Sequence, residues 1–183
     1  MPTPRKKYLA KFIDIVYHVV MNNINYAWAA GFMDGEGTIT LKRTKSRFTV
    51  NRIHYQPFVS IGQANHVGHY NAIRKMQLLF GGSVSRYQGS TPRLETLQWT
   101  IVSRQAVECL KKIRPFLVIK DRHADLLISY YKDAGKKAKG YRLTDDELSK
   151  REKIWSELRS INQKGKLHLQ RLSEITPKGD AIV

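Results

Sequence analysis

A chain of 183 residues with 42% hydrophobic content can bury one sizeable core, which argues against global disorder and fits a single domain over residues 1–183 better than two. A formal charge of +17 makes a polyanionic partner the first expectation, with nucleic acid ahead of a membrane surface. The lone Cys109 excludes an intramolecular disulfide framework and a four-cysteine zinc site, and its apolar neighbours predict a small core residue in a reducing compartment.

Residues 8–21 carry Leu9, Phe12, Ile13, Val16, Val19 and Val20 at helical spacings. They predict an extra N-terminal helix, ended by Asn22 and Asn23, so that residues 1–23 form an extension to the body. Arg5, Lys6 and Lys7 ahead of this run invite a signal-peptide reading, but Asp14, His18 and Asn22 interrupt it and no small-residue cleavage site follows. No segment is long enough to span a bilayer. The expectation is a soluble, intracellular protein of the cytoplasm or an organelle matrix, with no membrane partner.

A second helix is predicted from Asn25, a suitable N-cap, through the helix formers Ala27, Ala29 and Ala30. Gly35 and Gly37 should end it. Gly31 and Gly35 lie four apart, hence on one face, where missing side chains let a second backbone approach. Asp34 and Glu36 sit where the helix runs out, an end that carries partial negative charge and disfavours carboxylates. Something positive must compensate them.

The alternation in residues 38–44 predicts a half-buried strand, with Ile39 and Leu41 inward and Thr38, Thr40, Lys42 and Thr44 outward. A basic loop with Lys45, Arg47 and Arg52 follows. A second strand over 54–63 points His54, Gln56 and Ser60 outward, and Pro57 argues for an edge or a bulge. Residues 70–80 read as a helix with Ile73, Met76, Leu79 and Phe80 in the core, stopped by Gly81-Gly82. Two more strands fit 83–87 and 96–102. In the last, Leu97, Trp99 and Ile101 face in, and Thr96, Gln98 and Thr100 face out. The third strand's frame stays open between Ser85/Tyr87 and Arg86/Gln88.

Helices follow at 105–113 and 121–133, the latter burying Ala124, Leu127, Ile128 and Tyr131. A basic loop with Lys136, Lys137 and Lys139 comes next. Thr144-Asp-Asp-Glu147 is a capping box that opens a further helix. The basic tail, 163–183, is expected to be irregular or a short helix. His54, His66 and His123 show no metal-ligand spacing and read as contact or surface residues.

The string Ala29-Ala-Gly-Phe-Met-Asp-Gly-Glu-Gly37 resembles the signature of the LAGLIDADG homing endonucleases. The order of elements over residues 24–162 is similar to that family's αββαββα core: an α+β fold with a four-stranded antiparallel DNA-binding sheet, here with an N-terminal extra helix and C-terminal helices. The resemblance implies a site-specific, metal-dependent endonuclease that cuts both strands of double-stranded DNA. A single-motif chain would act as a homodimer on a near-palindromic target and be intron-encoded, with no small-molecule substrate. Mg²⁺, with Mn²⁺ as substitute, would be bound by Glu36 and the Gly35 carbonyl.

The same resemblance gives Gln63 a role in ordering the nucleophilic water, although a groove-facing glutamine is an equally good reading of that residue. Arg114-Pro-Phe-Leu-Val-Ile-Lys120 resembles the segment that brings a catalytic lysine, here Lys120, into the pocket. Ala27, Ala30, Gly31, Asp34 and Gly35 would lie at the dimer interface. The outward residues already named, with Ser85, Arg86, Tyr87 and Gln88, are the candidate DNA contacts, and the loop lysines suit phosphates. A protein of the same fold that assists intron RNA splicing, or a DNA-binding regulator without cleavage, is the competing reading.

Overall fold

The structure is a computed structural model that describes residues 4–45, 53–88, 95–134 and 144–175, with side chains between residues 20 and 163. Helix α1 (Pro4–Glu36) runs without a break into strand β1 (Gly37–Lys45). Strand β2 (Ile53–Ala64) pairs antiparallel with β1, and helix α2 (Val67–Phe80) leads to β3 (Ser83–Tyr87) and β4 (Thr96–Val102). Helix α3 (Ser103–Ile113), a 3-10 turn (Arg114–Phe116), α4 (Asp121–Ala134) and α5 (Asp145–Ile175) complete the order.

The four strands form one antiparallel sheet in the order β1-β2-β4-β3. Its inner face contributes Ile39, Leu41, Val59, Ile61, Leu97, Trp99 and Ile101, packed against Ala29, Ala30 and Met33 of α1, Ile73 and Met76 of α2, Leu110 and Ile113 of α3, and Leu127 of α4. Cys109 joins this core, and burial pushes its thiol up to about 12. The α+β fold expected from the order of elements is the one observed.

Several local expectations are corrected. Asn22 and Asn23 do not break a helix, and Asn25 is no N-cap, because α1 runs through all three. Each asparagine costs a helix only a fraction of a kcal/mol, about 0.7 at most, and none removes a backbone donor as proline would. The expected boundary between residues 23 and 24 therefore falls inside one helix. Strand β2 is central, not an edge: Pro57 is tolerated because β4 ends opposite Phe58, so residue 57 has no ladder to interrupt on that side. His123 is buried, not on the surface; its Nε2 meets Asn162 Oδ1 at 3.2 Å and burial holds its pKa below the usual imidazole value. Tyr130, rather than Tyr131, is the deeply buried tyrosine of α4, and its hydroxyl donates to the Tyr55 carbonyl at 3.0 Å.

The capping box forms as expected: the Glu147 N–H donates to Thr144 Oγ1 at 3.3 Å, and the Thr144 N–H donates to Glu147 Oε2 at 3.0 Å. The helix it starts extends to Ile175, well into the segment expected to be irregular or a short separate helix. Helix α5 is tied to the far end of β1 and β2 by Glu152, which accepts hydrogen bonds from Tyr55 Oη and from Arg43 Nε, the latter at 3.1 Å. No helix among the described residues is long and apolar enough to cross a membrane.

Candidate functional site

The site is built on the last turn of α1. Gly37 marks the point where helix becomes strand, and a Cβ there would collide with the Met33 side chain and lie 2.7 Å from the Met33 carbonyl oxygen. Only glycine fits this junction. The helix thus delivers Glu36, exposed, directly at the end of the sheet.

The positive group that this helix end requires is Lys120. Its ammonium donates to the Met33 carbonyl at 2.8 Å and to the Asp34 carbonyl, two of the acceptors that a helix C-terminus leaves without intrahelical partners. Asp34 in turn accepts the Val118 N–H at 2.8 Å and the Lys120 N–H at 2.9 Å. Burial works to raise the pKa of Asp34, but the backbone donors of Val118, Lys120 and Ile119, with the Lys120 charge, outweigh it and hold the carboxyl below its ordinary value. Lys120 is half-buried: desolvation lowers its pKa, opposed by the charges of Asp34 and Glu36.

Asp34 therefore makes its bonds within the chain, and its two carboxylate oxygens are committed to residues 118–120. Ala30, expected at a dimer interface, is fully buried in the chain's own core and has no surface to offer a partner. Ala27, Gly31 and Gly35 are exposed, and a Cβ built on either glycine meets nothing within 4 Å.

Gln63 lies at the same end of the sheet, two residues beyond the Gly37–Ile61 pair, and stands opposite Leu97. That places it on the inner-face side of β2, half-buried, and removes the groove-facing reading. Among the described residues no group of three or more His, Cys, Asp or Glu side chains could hold a metal ion. Lys120 occupies the Met33 and Asp34 carbonyls, which leaves the Glu36 carboxylate, with Gly35 beside it, as the oxygen donors for a cation. Such hard donors suit Mg²⁺, which keeps waters and phosphate oxygens in its shell and needs few protein ligands.

The outer face of the sheet is polar and follows the register. Thr38 pairs with Ser60, Thr40 with Phe58, Lys42 with Gln56 and Thr44 with His54. Ser60 is only 4% exposed, too recessed between its neighbours for a direct contact. Phe58, which the alternation also points outward, is nearly buried beneath the Lys42 ammonium, 3.5 Å from its ring centre. Gln56 donates to Ser103 Oγ at 3.0 Å.

The open frame of β3 is settled by Val84 standing opposite Trp99. Ser83 pairs with Thr100, Ser85 with Gln98 and Tyr87 with Thr96, all on the outer face. Arg86 opposes Leu97 and points to the other side of the sheet, where it is exposed at the edge, and Gln88 follows the strand's end. Ser83 is an outer-face position that β3's weak apolar pattern did not single out. Lys45 is exposed at the end of β1, whereas Arg47, Arg52, Lys136, Lys137 and Lys139 lie outside the described residues.

Comparison with known proteins gives a match to the LAGLIDADG endonuclease family model over residues 29–118. No curated protein matches the chain. Among solved structures, the homing endonuclease I-CvuI in complex with its target matches with a TM-score of 0.63 at 15% identity, covering 78% of this chain and 84% of that one. The homing endonuclease I-TnaI matches at 0.54 and 19% identity, over 76% of this chain and 96% of its own. The I-LtrWI LAGLIDADG homing endonuclease bound to target DNA matches at 0.53 and 21% identity, over 71% of this chain but 42% of its own. At such identities the likeness to each structure is one of fold. The family match spans the end of α1, the whole sheet and the chain as far as Val118, two residues short of Lys120, and over residues 29–118 the chain belongs to the LAGLIDADG endonuclease family.

Proposed function

We propose that this chain is a site-specific DNA endonuclease that works as a homodimer, uses a divalent metal and cuts both strands of a long, near-palindromic target, as the product of an intron. The observation that carries this reading is the pairing of one exposed carboxylate, Glu36, with one half-buried cation, Lys120, at a helix end that opens onto the polar face of the sheet.

One chain supplies one such carboxylate, and two strands need two. A second copy related by a two-fold axis provides it and implies a two-fold target. The match to under half of I-LtrWI is what a chain supplying one of two halves should give.

Glu36, with the Gly35 carbonyl, would hold Mg²⁺, or Mn²⁺ in its place. The chemistry that such an ion supplies is positive charge at the scissile phosphate and a lowered pKa for water. Lys120, fixed at its backbone by Asp34 and at its ammonium by the helix carbonyls, holds a cation where phosphate charge develops. Gln63, at the same end of the sheet, orders water by hydrogen bonding. The outer residues Thr40, Lys42, Thr44, His54, Gln56, Ser85, Tyr87, Gln98 and Thr100 read base edges in the major groove, and the basic loops hold phosphates.

The test is selection from a randomised double-stranded DNA library incubated with the full chain and Mg²⁺, with sequencing of cut ends. The expected result is one enriched, near-palindromic site cut on both strands. No cutting of any sequence, together with tight binding to structured RNA, would replace this reading with that of an RNA-splicing protein.

A further inference from the structure

Strand β4 ends opposite Phe58, so its pairing with β2 covers residues 58–64 only. Five pairs of β1 and β2, from Leu41–Pro57 to Lys45–Ile53, therefore project past the sheet as a two-stranded ribbon, with β1 as the sheet's edge. A ribbon of this kind is at best marginally stable alone and twists more than a wide sheet. It carries the outward residues Lys42, Thr44, His54 and Gln56. The Arg43–Tyr55 pair stands about 23 Å along β1 from Glu36, roughly seven base-pair steps of duplex. A swing of about 15° at the root of a ribbon about 16 Å long shifts its tip by about 4 Å, more than one such step. Base reading by the ribbon therefore needs a support that the sheet does not supply.

Helix α5 supplies it. Arg43 and Tyr55 pair across the two strands on the inner side of the ribbon, and one oxygen of Glu152 accepts from both, from Tyr55 Oη and from Arg43 Nε at 3.1 Å. The Arg43 guanidinium also lies 5.1 Å from the ring centre of Trp155, one turn further along α5. Tyr130 of α4 holds the Tyr55 carbonyl at 3.0 Å. The helix is itself rooted in the body. Leu158 is fully buried, Glu157 accepts from Arg122 at 2.5 Å, and Asn162 Oδ1 meets His123 Nε2 at 3.2 Å.

We propose that α5 is a brace for base recognition and that Glu152 is a positioning residue: without touching DNA, it acts through Arg43 and Tyr55 to set where the ribbon meets the bases farthest from the centre of the site. The inference rests on the DNA-binding reading above, and it concerns a helix that begins at Asp145, past the residues that the family match covers. A single carboxylate bridging both strands fixes them against each other and against the body at once. It also keeps Arg43 on the inner side, where that cation would otherwise be drawn to phosphate.

The test is selection of bound duplexes from a randomised DNA library by the full chain in Ca²⁺, a readout that needs binding but no cutting. Glu152→Ala removes the bridge, and Tyr55→Phe removes one of its donors while keeping the buried ring. Each variant, with the circular dichroism of the wild type, should flatten the preference at the outermost positions by about fivefold or more, the lower bound for one good base contact. The inner positions should keep theirs. Glu152→Gln, which retains an acceptor oxygen for both donors, should restore most of the outer preference. Equal loss at every position would make α5 an ordinary stabilising helix and overturn the proposal. An unchanged outer preference in Glu152→Ala and Tyr55→Phe would overturn it too, and would leave the DNA-binding reading intact. Failure of the wild type to select any duplex would overturn both.

Discussion

Asp34 and Lys120 hold each other through their backbones: the Asp34 carboxylate accepts the Lys120 N–H at 2.9 Å, and the Lys120 ammonium donates to the Asp34 carbonyl. The two residues are 86 positions apart, and their reciprocal bonds lock the segment at 118–120 onto the end of the motif helix. Removing the carboxylate should release both backbone donors. Asp34→Ala is expected to cost about 1–3 kcal/mol in urea-induced unfolding, the usual net worth of two hydrogen bonds. Cleavage should fall as well, because Lys120 loses its fixed backbone.

The same carboxylate predicts a pH dependence. Its folded pKa lies below the unfolded value of about 3.9, so its ionised form stabilises the fold fully above that value. The stabilisation is lost as pH falls through the folded pKa. Asp34→Asn should therefore flatten the acid limb of a stability profile measured between about pH 5 and pH 2. An unchanged acid limb would show that Asp34 is not held in its charged form.

Lys120→Met keeps most of the unbranched side chain and removes its ammonium group. Cleavage should drop by about two orders of magnitude or more, in line with the loss of one preorganised electrostatic contact. DNA affinity should change little, since this lysine is committed to the helix end and not to the sheet face. Parallel measurement of single-turnover cutting and of binding by fluorescence anisotropy separates the two effects.

The register of β3 makes a prediction about specificity. Ser85 and Gln98 share the outer face, so Gln98→Ala should relax the base preference at one position of each half-site, worth about 1–3 kcal/mol. Arg86→Ala, on the other face, should leave the preference unchanged. Profiling both variants on the same target library decides between them.

Much of the fold was legible because the apolar pattern was strong. Leu97, Trp99 and Ile101 fixed the frame of β4, and the Thr144 capping box placed the start of α5. The frame of β3 was not, since Val84 alone anchors it and only its pairing with Trp99 decides the matter. The continuity of α1 was hidden by asparagines whose helix cost is small. At the site, Glu36 and Lys120 could be named from sequence, but their relation could not. The link depends on Lys120 reaching carbonyls at Met33 and Asp34, a contact between distant segments that no local pattern encodes.

The central claim is that Glu36 holds the metal that cuts DNA. The most direct measurement sets Glu36→Gln beside the wild type, with cutting of the selected target in Mg²⁺ and binding of the same target in Ca²⁺ measured in one preparation. The variant should bind with nearly unchanged affinity and cut neither strand. Full cutting by Glu36→Gln would contradict the assignment.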